Sequence, residues 1–361
     1  MVRVHCLGVG LVGSYVAKYL SELGHSVYAY DIDFSRIEEI KNIKKIKISK
    51  SQNPAKFLLE YLNNYEDISI NKKNEIIVNM LPGDIGHKST ETLCEFPLRI
   101  VDLSFSELTP ERNLERVLKS DATVLWDVGI APGLSNMLLS EAVRKMGKLK
   151  NGIIRVGGNP SVQTGGWNYM APFSPVDVIA EYTRPARVIR NSKTVTLPAL
   201  SDRHIIDVPT KGEMEAFLTD GLRSVINSIN AENLHEYTVR WPGHIQKFIE
   251  VRENDKIDEE LLTNAWKYDE KIKEFTWMEV EAEGYNGQKM NWSVYDEGDV
   301  DGHSMARCTG LVTLGCILEW IKDENMLTGG IYAPEELSTG VISRIIELMV
   351  NSGIVIKGPK I

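Results

Sequence analysis

The sequence predicts an α/β protein whose first part is a doubly wound parallel sheet and whose second part is an α+β domain of mixed and antiparallel sheet. Three observations carry this. Short apolar strands alternate with helical segments through the first 128 residues, the pattern changes after Gly133, and two alternating apolar and polar runs flank Asn286-Gly287 farther on.

Taken in order, strands are expected at Val2 to Leu7, Ser26 to Tyr30, Glu75 to Asn79, Arg99 to Leu103 and Thr123 to Val128, with a helix running to about Leu23 after the first. The charged stretches IKNIKKIKISK and LNNYEDISINKKN read as solvated connections, and the lysines in the first are not taken as a nucleic-acid patch. A helix is expected over Leu134 to Met146 and a strand over Gly152 to Val156. A long glycine- and proline-rich loop follows, GGNPSVQTGGWNYMAPFSP, of a kind that more often carries function than idles. The Asn-Gly dipeptide favours a type I′ hairpin. Two apolar-faced helices, from Ser304 to Lys322 and over TGVISRIIELMVNSG with Gly353 as its C-cap, are expected to pack back on the first domain. The expected boundaries are 1–128 for the dinucleotide-binding domain, 129–303 for a substrate and dimerisation domain, and 304–361 for the returning helices.

The chain has 361 residues, 43% of them apolar, and a net charge of −9. Such a balance gives no field to attract phosphate backbones or anionic lipid, so neither nucleic acid nor membrane is an expected partner. No apolar run approaches the ~18 residues of a spanning helix. Cys6, Cys94, Cys308 and Cys316 form no CxxC pair and read as buried thiols of a reducing, cytoplasmic compartment.

The stretch VRVHCLGVGLVGSYVAKYLSELGHSVYAYDID resembles a short secretory signal in its basic start and apolar run. A cleaved signal has no use, however, for glycines at 8, 10 and 13 framed by a strand, a helix and an acid. That frame is the dinucleotide pattern: Gly8 makes the tight turn, Gly10 admits a pyrophosphate, and Gly13 lets the helix lie on the sheet. Gly8, Val9, Gly10, Leu11, Val12 and Gly13 would then meet the phosphates at a helix N-terminus. Asp31, followed by Ile32, would accept from the adenosine ribose and repel a 2′-phosphate, so NAD is favoured over NADP, with Arg36 as the one opposing charge nearby.

Leu81 and Pro82 in VNMLPGDIGHKS, and Asp102 and Ser104 in VDLSFSE, stand at later strand ends where a doubly wound sheet presents its ligands; a plain turn is the alternative for each. In LWDVGIAPGLSNML, Asp127 ends a strand, and Ser135 or Asn136 can help start a helix. The arginines of EYTRPARVIRN, TDGLRS and VRWPGH can clamp a carboxylate, although a surface role is the commoner outcome. The seven histidines show no metal-ligand spacing, and neither a GxSxG elbow nor a Walker loop occurs.

Together GVGLVG, MLPG, VDLSF, DVGIAPGLSN, VGGNP, FSPVDVIAEYTRPARVIRN, EAFLTDGLRS, RWPGH and SMARCTG resemble, in that order, the saccharopine dehydrogenase-like reductases, and most closely the L-lysine 6-dehydrogenases. The resemblance implies a Rossmann domain, a second domain with a mixed sheet, a homodimer, and NAD-dependent oxidation of the ε-amino carbon of L-lysine to an imine that hydrolyses. Relatives of this group often read GGLP where this chain has Gly157, Gly158, Asn159 and Pro160, which places a polar side chain beside the substrate. Loss of hydride from an amine carbon needs a deprotonated nitrogen, so a base is required; Asp127 or His244 is the candidate. Arg223 or Arg240 would hold the α-carboxylate, with Gly157, Gly158, Asn159 and Tyr182 shaping the site. The rival readings are a saccharopine or carboxynorspermidine type reductase and a non-catalytic NAD-binding regulator.

Overall fold

A computed structural model describes residues 2–65, 75–163, 165–254 and 257–361. The first stretch alternates strand and helix: β1 (Arg3–Leu7), α1 (Leu11–Glu22), β2 (Ser26–Asp31), β3 (Ile43–Lys47), α2 (Pro54–Tyr65), β4 (Glu75–Asn79), α3 (Gly83–Leu93), β5 (Arg99–Asp102), α4 (Leu114–Ser120) and β6 (Thr123–Trp126). Next come α5 (Leu134–Met146), β7 (Leu149–Pro160), α6 (Pro175–Thr183), β8 (Ala186–Arg190), β9 (Lys193–Leu197), β10 (His204–Val208), β11 (Gly212–Leu218), α7 (Val225–Ser228) and β12 (Ala231–Arg240). The chain ends with α8 (His244–Glu253), α9 (Glu259–Ala265), β13 (Glu274–Gly284), β14 (Lys289–Asp296), α10 (Ser304–Lys322), β15 (Gly330–Tyr332), α11 (Thr339–Asn351) and β16 (Val355–Lys357).

These elements form two compact units, one of Met1–Gly129 with Thr309–Ile345, the other of Ile130–Cys308 with Ile346–Ile361. The first holds a seven-stranded sheet in the order β15-β6-β5-β4-β1-β2-β3, every pairing parallel. Strand order reverses between β1 and β4, and such a sheet opens a crevice there at its carboxyl edge. The core on one face gathers Leu7, Tyr30, Leu58, Ile77, Ile100 and Trp126. An α/β protein with a doubly wound parallel sheet is what the alternation predicts.

The second unit carries a nine-stranded mixed sheet, β10-β11-β12-β7-β13-β14-β16, with the β8–β9 hairpin branching from β12. Strand β7 pairs parallel with β12 and antiparallel with β13. One apolar cluster, including Tyr182, Phe217, Phe248 and Trp266, lies between helices and this sheet; another, with Val188, Met214, Val239 and Trp241, involves other strand residues.

Five local readings change. The lysine-rich stretch after Ile40 is not a bare connection: Ile43 and Ile46 are buried in β3, an edge strand whose lysines 44 and 47 face water. In the second charged stretch, residues 62–65 close α2, and 66–74 lie outside the described residues. Gly157, Gly158 and Asn159 end strand β7 instead of beginning a loop, because they pair with Trp277, Thr276 and Phe275 of β13. At the hairpin only Gly287 takes a positive φ, of 78°. Its N–H bonds Gly284 O at 3.1 Å, so the turn is type I followed by a left-handed glycine, not type I′. At the C-terminus, Thr309–Ile345 belongs to the first unit, whereas Ile346–Ile361 belongs to the second, where β16 adds to β14.

Candidate functional site

In the first unit the glycines meet three different demands. Gly8 has φ of 87°, a conformation that penalises any side chain. A Cβ on Gly13 would lie 2.2 Å from Gly8 O, so only glycine lets α1 rest on the turn. Around Gly10, by contrast, a Cβ would meet nothing within 4 Å. Gly10 is the N-cap of α1, no side chain caps that helix end, and no acid occupies its first turn. Its N–H groups therefore face open space with the positive end of the dipole behind them. Leu11 and Val12, half-buried, form the first turn.

Asp31 is held beside this turn by three backbone donors: Val9 N at 2.6 Å, Ile32 N at 2.6 Å and Asp33 N at 3.1 Å. It remains half-buried, and Oδ2, which accepts from Val9 N alone, keeps a lone pair for a hydroxyl. The unobstructed Gly10, the uncapped helix start and a fixed acid at the end of β2 fit a dinucleotide.

Asp102 turns out to build the crevice edge instead of facing it. It is 1% exposed. Its carboxylate accepts from Thr90 Oγ1 at 2.6 Å, Ser104 Oγ at 2.6 Å, Ser104 N at 2.8 Å and Asn79 Nδ2 at 3.2 Å. Asn79 also donates to Gly86 O at 2.8 Å. This network pins the ends of β4 and β5 to α3, which Pro82 begins, and Leu81 packs against the unit's core. Ser104, also buried, spends its hydroxyl on Asp102. Asp127 stands just past β6 on the same edge, in a left-handed conformation with φ of 56°, its N–H bonded to Asp102 O at 2.9 Å. A left-handed aspartate at a strand's carboxyl end is an uncommon conformation that makes it a candidate for function.

The second unit brings Arg240, Tyr182 and His244 together. Arg240 Nε donates to Tyr182 Oη at 2.8 Å. Tyr182 Oη lies 3.2 Å from His244 Nε2, and His244 Nδ1 lies 2.9 Å from Trp167 O. One set of protons satisfies all three contacts: Tyr182 donates to Nε2, and Nδ1 donates to the Trp167 carbonyl. His244 is then neutral with both ring nitrogens committed. Burial first, and the Arg240 charge second, push its pKa down to about 3. This geometry makes His244 a holder of Tyr182 and not a ready base.

Arg240 is 4% exposed. Its guanidinium lies over the Tyr169 ring at 4.6 Å and donates to Val239 O at 3.0 Å. Burial works against its charge, but Tyr182, Tyr169 and Glu181 outweigh it and keep its pKa above the ordinary value. Among the described residues no carboxylate comes within 4.0 Å of it. The other arginines differ. Arg187 makes a two-armed bond to Asp220 at 2.9 and 2.8 Å, Arg184 reaches the same acid at 3.2 Å, and Arg190 pairs with Asp202 at 3.2 Å. Arg223 is buried in a left-handed turn with φ of 50°.

Packing requires glycine at 157, where the obstacle is backbone, and less strictly at 158, where it is the end of a methionine side chain. A Cβ on the first would lie 2.3 Å from Val239 O, and on the second 2.7 Å from Met305 Cε. Asn159 donates to Val239 O at 3.2 Å, which ties β7 to β12, while its buried Oδ1 has no partner. Sequence reasoning missed Trp167 and Tyr169 individually, although they lie in the loop singled out for its composition. It also missed Glu181, in the EYTRP motif.

A family model described as the saccharopine dehydrogenase C-terminal domain matches residues 129–354, more than half of the chain. The chain belongs to the saccharopine dehydrogenase-like family. Solved members show the same fold. Saccharopine dehydrogenase (L-Glu forming) from Saccharomyces cerevisiae superposes with a TM-score of 0.71 at 12% identity, covering 99% of this chain and 100% of that one. Homospermidine synthase from Legionella pneumophila, solved with NAD, gives 0.67 at 14% identity, covering 100% of this chain and 91% of that one. At these identities the likeness is one of fold. Among the described residues no helix is long and apolar enough to cross a membrane, and no cluster of three or more His, Cys, Asp or Glu is placed to hold a metal ion.

Proposed function

We propose that this chain is an NAD-dependent oxidoreductase acting on a carbon–nitrogen bond of an amino acid, with the ε-amino group of L-lysine as substrate. The uncapped, unobstructed start of α1 beside the fixed Asp31 carries the cofactor half of this reading. Family membership carries the reaction class. Gly8, Val9, Gly10, Leu11, Val12 and Gly13 would hold the pyrophosphate, Asp31 and Ile32 the ribose, and Leu81, Pro82 and Ser104 the edge toward the nicotinamide. NAD is preferred to NADP because a 2′-phosphate would meet the Asp31 charge. When bound, the nicotinamide takes hydride from the carbon that bears nitrogen.

The protein's own part is to orient the amine, free its lone pair and exclude water. Asp127 is the proton acceptor: its position beyond β6 puts a carboxylate on the carboxyl edge of the sheet, where a ligand of the crevice is reached. Arg240, a buried cation with aromatic neighbours and, among the described residues, no carboxylate within 4.0 Å, is matched to the substrate's α-carboxylate, and Tyr182 and His244 hold it in place. Arg223 is the alternative clamp, and Gly157, Gly158 and Asn159 shape the wall. The test is NADH formation with L-lysine, which Asp127→Asn should cut at least a hundredfold while NADH still binds. Unchanged turnover in that variant would remove Asp127 as the base.

A further inference from the structure

Period-two alternation along β12 puts Glu236, Thr238 and Arg240 on one face. Consecutive residues of α6 meet this strip. Glu181 Oε1 accepts from Thr238 Oγ1 at 2.8 Å, and Tyr182 meets Arg240. Thr238, which holds Glu181, and Arg240 thus lie one step of two residues apart on the strand, a rise of about 6.7 Å along its backbone, and carry opposite charges to the same face. These charges do not pair with each other or with any other charge within 4.0 Å among the described residues. Among the described residues Glu181 Oε2 makes no hydrogen bond, and Glu181 is half-buried where Glu236, Thr238 and Arg240 are buried.

Proton counting explains why Glu181 can remain the charged member of its own network. Glu236 Oε2 lies 2.6 Å from Thr219 Oγ1, Thr219 lies 2.8 Å from Thr238, and Thr238 lies 2.8 Å from Glu181. These three contacts need three protons, and the two hydroxyls supply two. The third sits on a carboxyl, and Glu236, fully buried, is the one from which burial and the neighbouring Glu181 drive the charge, with its pKa raised to about 8. The chain then runs one way, Glu236 to Thr219 to Thr238 to Glu181, and ends as a hydroxyl donated to the Glu181 carboxylate.

Resting on the function proposed above, we infer that Glu181 is the arm that takes the α-ammonium of the substrate while Arg240 takes its α-carboxylate. Together they select an α-amino acid head group over a diamine. A molecule with both charges on one carbon bridges two such groups through charge-assisted bonds of about 2.8 Å at each end. A diamine would set a cation against Arg240 and is refused. Thr238 and Glu236 act as positioning residues behind Glu181.

Two probes test this: L-norleucine, which has the head group and no ε-amine, and hexanoate, which has only the carboxylate. Binding is followed by equilibrium dialysis in the presence of NADH, and turnover is compared for L-lysine and 6-aminohexanoate. The wild type should bind norleucine above hexanoate. Glu181→Gln should weaken norleucine about tenfold or more and lower the kcat/KM ratio of lysine over 6-aminohexanoate by a similar factor, while Glu181→Asp recovers part of both. NADH binding by each variant reports that it is folded. Norleucine binding that is no better than hexanoate, or is unmoved by Glu181→Gln, overturns the assignment. Loss of norleucine binding in Glu181→Gln with no amine ever reducing NAD leaves the head-group site standing and removes the reaction. Lysine oxidation with both ratios unmoved does the reverse.

Discussion

Gly10 and Gly13 look alike in a motif and are required for different reasons, and substitution separates them. Gly10→Val should fold with only the small loss of stability of a poorer helix N-cap and should lose NADH binding, because its Cβ meets nothing of the protein within 4 Å and enters the space a phosphate needs. Gly13→Val should cost about 1–3 kcal/mol or more in stability, since its Cβ strikes the Gly8 carbonyl. Thermal unfolding and NADH fluorescence titration together read the difference. Glu236 makes a second prediction. Its pKa is about 8 in the folded chain against an ordinary carboxyl value of 4.5, so the folded state holds a proton that the unfolded chain releases between those values. Its contribution to stability is present below about pH 4.5 and is lost as pH rises toward 8. Glu236→Gln should therefore be more stable than wild type at pH 8, by on the order of a few kcal/mol relative to pH 5, in denaturant titrations. His244 runs the other way: neutral when folded down to about pH 3 against 6.5, it withdraws stability as pH falls through that window.

At the scale of elements, α6 and β12 depend on one another through Tyr182. Tyr182→Phe leaves Arg240 Nε and His244 Nε2 without their shared partner in a buried place and should cost about 1–3 kcal/mol. It should also raise KM for lysine more than it lowers kcat, which steady-state kinetics will show. The elements that sequence patterning reads well are those with a strong period and clear ends. Helix α5 runs over Leu134–Met146, and Asn136 Oδ1 meets Gly133 N at 3.4 Å where a helix start was expected. Strand β3 was hidden because an edge strand of isoleucine and lysine has the composition of a solvated loop. The end of β7 was hidden because two glycines read as a turn until β13 and β12 pack against them. Glu181 carries no local signal at all. On its helix it is an ordinary half-buried acid, and its meaning comes from Thr238, far along the chain on β12. His5 is likewise spent on Glu75 and Tyr30 inside the first sheet, where no spacing rule would place it.

For the whole molecule, the order of the motifs along the chain was the informative feature: the glycine turn and Asp31 in one unit, EYTRP and RWPGH in the other. The glycine turn and the acid beside it were legible residue by residue because they are local and made by backbone geometry. The residues proposed for the substrate were legible only as types, since their partners are brought in by sheet register. Assembly follows the same reading, and light scattering should return twice the 40.6 kDa of one chain for the homodimer proposed by resemblance. The central claim is oxidation at a carbon–nitrogen bond of an amino acid by NAD. It is tested most directly by following NADH absorbance with the purified chain, NAD and, in separate assays, L-lysine, saccharopine and a diamine. The account predicts NADH formation with L-lysine, well above the other two and lost in Arg240→Met. A chain that binds NADH tightly and yet reduces NAD with none of the three would contradict it.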